Sequence, residues 1–155
     1  MNKAHKLTLF SIILLFQGCA VVQKDNSPNN IISKFTLAVA QKDVTGFKAL
    51  FLNEEVSWLA VRNDKDLIGE QKQKVHEHGL VNFIEMAAST KESTEVQFSD
   101  CNVMNDGDIA TANCMYSFHL GGKMTNDGRE AFLFVNTATG WKISGMVFSS
   151  TLAKK

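Results

Sequence analysis

The 155-residue sequence has a single proline, Pro28, and a single tyrosine, Tyr116. So little proline argues against a collagen-like or Pro-rich extended chain. Charge of one sign is also missing, because 16 basic side chains balance 16 acidic ones. Nucleic-acid binders normally carry a strong basic excess, so no nucleic-acid partner is expected. No apolar run reaches the about 20 residues that a membrane-spanning helix needs. Internal repeats, low-complexity tracts, CxxC pairs, GxSxG and Gly-rich phosphate loops are all absent. The composition, 45% hydrophobic, is that of one packed domain.

The N-terminus reads as a targeting segment. Lys3, His5 and Lys6 precede a short apolar stretch, Leu7 to Phe16, which ends in Gln17-Gly18-Cys19. This resembles the lipobox of bacterial lipoproteins, in which a small residue precedes a cysteine that becomes lipidated. Ordinary signal-peptidase cleavage near Gly18-Cys19-Ala20 is the competing reading. The resemblance implies processing before Cys19, acyl chains on Cys19 as the membrane attachment and, with Ala20 rather than Asp after it, the periplasmic face of a bacterial outer membrane. Residues 1–18 are then the signal peptide. Residues 19–30 are the lipidated Cys and a polar linker containing Pro28, 31–150 the folded domain and 151–155 a tail. Losing Lys3 and Lys6 leaves 14 basic and 16 acidic side chains, with no electrostatic grip on anionic lipid.

Along the domain the pattern changes from helical to β. Asn29 or Asn30 is expected to cap a helix to about Lys42, with Ile31 or Ile32, Phe35 and Val39 at helical spacing. Asp43 is expected to cap a second short helix carrying Phe47, Leu50 and Phe51. Val56 to Val61 alternates loosely as a strand, and Asn63-Asp64 turns the chain. Ile68 to Ala88 reads as a longer helix, weakened at Gly79. From Thr94 onward apolar residues alternate: Val96 and Phe98, then Ala110, Ala112, Cys114, Tyr116, Phe118 and Leu120. Gly121-Gly122 and Asn126-Asp127-Gly128 read as turns. Helices followed by antiparallel strands make an α+β order.

Export would place Cys101 and Cys114 in an oxidising compartment. Asn105-Asp106-Gly107-Asp108 between them is a hairpin signal. A two-residue loop at Asp106-Gly107 puts Cys101 opposite Ala112 and Cys114 one diagonal step away. A bulge or a one-pair shift would join the sulfurs. The alternative is two separate buried thiols.

Several features together resemble the nuclear transport factor 2-like superfamily, which includes SnoaL-like polyketide cyclases and ketosteroid isomerases. They are Asp43-x-x-x-Phe47-x-x-Leu50-Phe51, Gly69 at a third helix, Gly107-Asp108-x-Ala110 opening a long strand, and Gly140-Trp141-Lys142-Ile143 through Ser149 at the end. The resemblance spans about residues 29–150. It implies three helices packed in a strongly bent antiparallel sheet, a cone with an apolar cavity. It leaves open isomerase, dehydratase, hydrolase, cyclase and plain binding or dimerisation roles, so function must come from the site.

The residues supply few catalytic candidates. An isomerase of ketosteroid type needs a carboxylate base and an oxyanion hole, for which Asp100 and Tyr116 are the alternative pair. Against it stands Tyr116 as a core ring and Asp100 facing solvent. Glu95 and Glu130 fall at predicted strand ends. A pair of carboxylates bridged by Arg is not expected, because Arg62 and Arg129 both sit beside turn signals. His76-Glu77-His78, placed on a helix, points its two rings about 200° apart and cannot share a metal. His119 lies on the face opposite Tyr116. No cofactor or metal is expected. Trp58, Phe98, Tyr116 and Phe118 are candidates to line a cavity.

The reading that follows is a lipid-anchored, non-enzymatic domain binding an apolar small molecule or an envelope protein. The alternative is a small-molecule isomerase or dehydratase. Phe132 and Phe134 alternate with Leu133 and Val135, so that strand is apolar on both faces and could meet a second copy in a homodimer. Trp141 and Ile143 are expected to seal the sheet against the helices.

Overall fold

The computed structural model describes residues 27–63 and 74–154. The signal segment, Cys19, most of the linker and Gly69 lie outside them. Helix α1 runs over Pro28–Gln41. Its cap is Ser27, whose Oγ accepts from the Asn30 N–H at 3.3 Å, and Pro28 follows at the first helical position. The sequence reading placed Pro28 in the linker and the cap at Asn29 or Asn30. Proline lacks the N–H that the first turn leaves unpaired anyway, so it starts this helix and does not precede it. Helix α2, Val44–Lys48, is capped by Asp43, whose Oδ1 accepts from the Gly46 N–H at 2.8 Å.

Strands β1 (Trp58–Arg62) and β2 (Val75–Glu77) precede helix α3 (Leu80–Ser89). Strands β3 (Thr94–Asn105), β4 (Ile109–Leu120), β5 (Lys123–Thr137) and β6 (Gly140–Leu152) follow. They form a six-stranded sheet in the order β2-β1-β6-β5-β4-β3. Pairing is antiparallel except between β1 and β6, which run parallel. The helices pack inside the curl of this sheet, giving an α+β cone. The parallel β1–β6 pair departs from the all-antiparallel expectation; β2, α3 and β3 to β5 all lie between the two strands in the chain, length enough for the crossover that parallel neighbours need.

Three expectations are corrected here. The helix expected over 68–88 begins only at Leu80; residues 64–73 lie outside the described set, and Val75–Glu77 pairs with β1. Gly79, at φ 72°, makes the change of direction, a conformation that costs glycine least. Second, Asn126-Asp127-Gly128 is no turn: β5 passes straight through it, and the hairpin closes at Gly121-Gly122. Third, β6 continues to Leu152, so the chain beyond 150 is not simply a tail.

The β3–β4 register pairs Asn105 with Ala110 and Val103 with Ala112, with a bulge between Ser99 and Asn102. That shift from the two-residue loop brings Cys101 and Cys114 into a disulfide, their Cα atoms 4.1 Å apart. At the closed end of the cone Phe35 lies 4.8 Å from Phe47 and 6.0 Å from Phe132, centroid to centroid. Trp141 and Ile143 are buried there. The Ile143 N–H donates to Leu50 O, and the Leu52 N–H donates to Ile143 O, each at 2.9 Å. On the outer face Ile109, Leu133 and Val147 are exposed.

Candidate functional site

The alternation of the strands builds the open half of the cone in rows. Trp58 pairs with Met146 and Met146 with Phe132, forming an apolar floor. One inward step higher, His76 pairs with Ala60, Ala60 with Phe148, Phe148 with Glu130 and Glu130 with Cys114. The next step pairs Arg62 with Ser150 and Gly128 with Tyr116. At the rim, Asn126 lies between Leu152 and Phe118. Phe83 and Met86 of α3 close one side. The cavity these rows enclose measures about 460 Å³, within the range of small-molecule sites.

Glu130 is the unusual member. It is only 3% exposed, and its Oε1 has no hydrogen-bond partner. Burial pushes its carboxyl up to about 8, well above the ordinary carboxylate range, because the charged form loses its water. The Trp58 indole N–H opposes this by favouring the ionised form, yet the two groups fall short of hydrogen-bond geometry and Nε1 is itself unpartnered. The indole is a neighbour of the carboxyl, not its bonded donor.

Tyr116, by contrast, is fully engaged. Its O–H donates to Ser149 O at 3.0 Å and its oxygen accepts from Asn126 Nδ2 at 3.0 Å. Burial pushes its phenol up to about 12. The acceptor is free because the β5–β6 ladder has no paired residues at 128 and 129. The Arg129 N–H bonds instead to Ser149 Oγ at 3.0 Å. Gly128 permits this close approach, since a Cβ there would sit 2.0 Å from Ser149 O.

His78 stands edge-on to Trp58 at 4.8 Å and to Phe148 at 5.1 Å. Burial first, and the neighbouring His76 second, pull its imidazole down to about 4. The helical argument that sent these two rings apart is corrected: residues two apart in extended chain share a face, and both line the cavity. Among the described residues no group of three His, Cys, Asp or Glu side chains could hold a metal ion.

The other candidates fall as follows. The structure does not bring Asp100 and Tyr116 together. Asp100 is exposed at the β3 bulge with φ 49°, away from the cavity, whereas Tyr116 lines it. Extra chain at a bulge turns its residues out of the regular alternation. Trp58 and Phe118 line the cavity with Tyr116. Phe98 instead packs 5.7 Å from Phe35 and 5.4 Å from Phe132, bordering a second recess beside α1. Arg62, expected beside a turn in solvent, is half-buried and lines the cavity. Glu130, expected at a strand end and given no role by the sequence, sits in the interior of β5 on its inward face. Counting back in twos from Phe134 and Phe132 reaches it.

Residues 29–153 match the SnoaL-like domain family. Solved structures with the same fold include a nuclear transport factor 2-like protein of unknown function from Pseudomonas putida. It is 14% identical with a TM-score of 0.60, over 82% of this chain and 86% of that one. A protein proposed to be a dehydratase of the same family, from Streptomyces avermitilis, is 19% identical with a TM-score of 0.57, over 81% and 94%. A third, with a cystatin-like fold, from Novosphingobium aromaticivorans, is 14% identical with a TM-score of 0.58, over 77% of each chain. Comparison with curated proteins finds no match.

Proposed function

The chain belongs to the SnoaL-like domain family, and from that premise we propose that its cone binds a small, largely apolar molecule. The observation that carries this is the aromatic-walled cavity of about 460 Å³, whose lining includes the buried Glu130. Such a cavity combines apolar walls with few polar anchors, the usual make-up of a ligand site. In its cellular setting the domain is a lipoprotein: Cys19 is acylated after cleavage behind Gly18, and the linker holds the cone near the periplasmic face of the outer membrane. The exposed Ile109, Leu133 and Val147 on the outer sheet face favour pairing with a second copy.

Native mass spectrometry of the periplasmically expressed protein tests the binding role. We expect a non-covalent adduct that disappears in Ala60→Leu, whose longer side chain projects into the cavity. Absence of any adduct, together with failure to bind the apolar probe N-phenyl-1-naphthylamine, would sink the proposal. Cys19→Ser tests the anchor: precursor should accumulate and palmitate incorporation stop, and unchanged processing would refute lipidation.

A second reading, isomerase or dehydratase chemistry, is favoured by Glu130 and not by Asp100. A carboxyl held near 8 can give and take a proton at neutral pH. Deuterium exchange into 2-tetralone, followed by NMR, checks it. Exchange above the buffer rate that is lost in Glu130→Gln supports the enzyme reading, and exchange at the buffer rate for both proteins refutes it.

A further inference from the structure

The two ends of the disulfide sit in unlike places. Cys114 lies within β4, between β3 and β5, and is fully buried. Cys101 lies in β3, the end strand of the described sheet, and is exposed. The ladder explains the difference. Pairing runs as far as Ser99 with Met115 and resumes at Asn102 with Asn113, so Asp100 and Cys101 together face the single residue Cys114. Extra chain of this kind is left unpaired and bends the strand. The disulfide therefore stands where the ladder lapses. Cys101 also borders the second recess, whose walls are Ile32, Ser33 and Thr36 of α1 and Gln97 and Phe98 of β3. That recess shares only Val96 with the lining of the cone cavity.

We propose that Cys101 is a thiol-exchange site: a small thiol enters by the recess beside α1 and attacks Cys101 Sγ, and Cys114 is the resolving cysteine. This goes beyond the binding role above and does not depend on it. Exchange between a thiol and a disulfide needs access to the sulfur that is attacked. Burial denies that access at Cys114, and the exposed bulge grants it at Cys101. The incoming thiol loses its proton to water, and its thiolate forms a new S–S bond to Cys101. The bond between Cys101 and Cys114 breaks, and Cys114 leaves with the electron pair and takes a proton from water. A monothiol then remains on Cys101 as a mixed disulfide until the Cys114 thiolate expels it and closes the original bond. A dithiol goes further. Its second sulfur attacks its first, Cys101 leaves and is protonated, and two electrons have passed from the dithiol, now a disulfide, to the protein. Pairing of β3 with β4 on both sides of the bulge holds the strand in place during the exchange.

Peptide mass mapping tests this on folded wild-type protein incubated with reduced glutathione, quenched in acid and alkylated with N-ethylmaleimide in urea. Glutathione should be found on Cys101 and N-ethylmaleimide on Cys114 after incubation well below the urea midpoint of unfolding. Ser33→Trp, which fills the recess from an exposed helix position, should slow adduct formation without moving that midpoint. Ellman's reagent should find the remaining thiol of Cys114→Ala at least about a hundredfold more reactive than that of Cys101→Ala, because the buried thiol reacts only after local opening. Glutathione on Cys114, glutathione spread equally over both cysteines, or no exchange until the chain unfolds would overturn the assignment. An unchanged rate in Ser33→Trp would overturn the recess as the way in. If an alanine variant fails to fold, the wild-type map decides alone.

Discussion

The same strands build both ends of the cone, yet the two ends differ in kind. Toward the closed end β5 turns Phe132 and Phe134 inward, and β6 turns Trp141 and Ile143 inward, all buried. Toward the open end the inward positions of β5 are Glu130, Gly128 and Asn126, and those of β6 are Phe148, Ser150 and Leu152. Period-two alternation is common to both halves. What changes is the side chain set on it: close-packed rings at one end, a few polar groups among rings around a void at the other. The closed half should therefore carry stability and the open half chemistry.

The largest test of that division is Trp141→Ala. Removing a buried ring from the closed half should cost about 3–5 kcal/mol, read as a fall in the melting temperature and in the denaturation midpoint. A variant that melts within a degree or two of wild type and only loses ligand would move Trp141 into the functional half.

Next comes the disulfide, with the 13-residue separation between Cys101 and Cys114. The double change Cys101→Ala, Cys114→Ala should lower stability by about 3 kcal/mol in chemical denaturation. Binding of apolar probes should persist, because neither cysteine lines the cavity, although Cys114 pairs with Glu130. Loss of binding at full stability would contradict the division.

A smaller effect separates the halves by pH. Glu130 keeps its proton to about 8 in the fold but releases it near 4.5 when unfolded. Its contribution is thus complete at low pH and is lost as pH rises through about 8. His78, lowered to about 4 from 6.5, works in the opposite direction, adding stability as pH rises across that interval. Between pH 6.5 and 8 Glu130 acts alone, and wild type should lose about 2 kcal/mol there. Glu130→Gln should flatten that slope in pH-dependent urea denaturation; an unchanged slope would mean that the carboxyl is not held neutral.

The smallest expected change is Tyr116→Phe. Losing the hydrogen bonds to Ser149 O and Asn126 should cost about 0.5–1.5 kcal/mol, seen in the denaturation midpoint. Proton exchange into 2-tetralone should be unaffected, since that hydroxyl is committed to Ser149 and Asn126. A collapse of exchange in this variant would give Tyr116 the chemical role that its bonding argues against.

Much of this was legible along the chain, because it depends on neighbours in sequence. The α+β order, the Asp43 cap, and the inward phase of Ala110, Ala112, Cys114 and Tyr116 follow from short-range periodicity and capping, which local physics enforces wherever the chain goes. The disulfide needed one longer-range fact, the four-residue hairpin loop with a bulge at Ser99–Asn102 that sets the register. The site needed more. Asn126-Asp127-Gly128 has the local chemistry of a turn, but pairing with β4 on one side and β6 near its ends on the other outweighs that preference and carries Glu130 into a strand interior. His76 and His78 share a face only because Val75–Glu77 finds β1 as a partner. Turn and helix preferences are worth tenths of a kcal/mol to about one per residue, so pairing and burial across the sheet override them. The sequence by itself determined the order of helices before strands and the alternation of Ala110, Ala112, Cys114 and Tyr116; only the tertiary structure decided that a carboxyl and two histidines meet in one cavity, because strand partnership is settled by residues far apart in the chain.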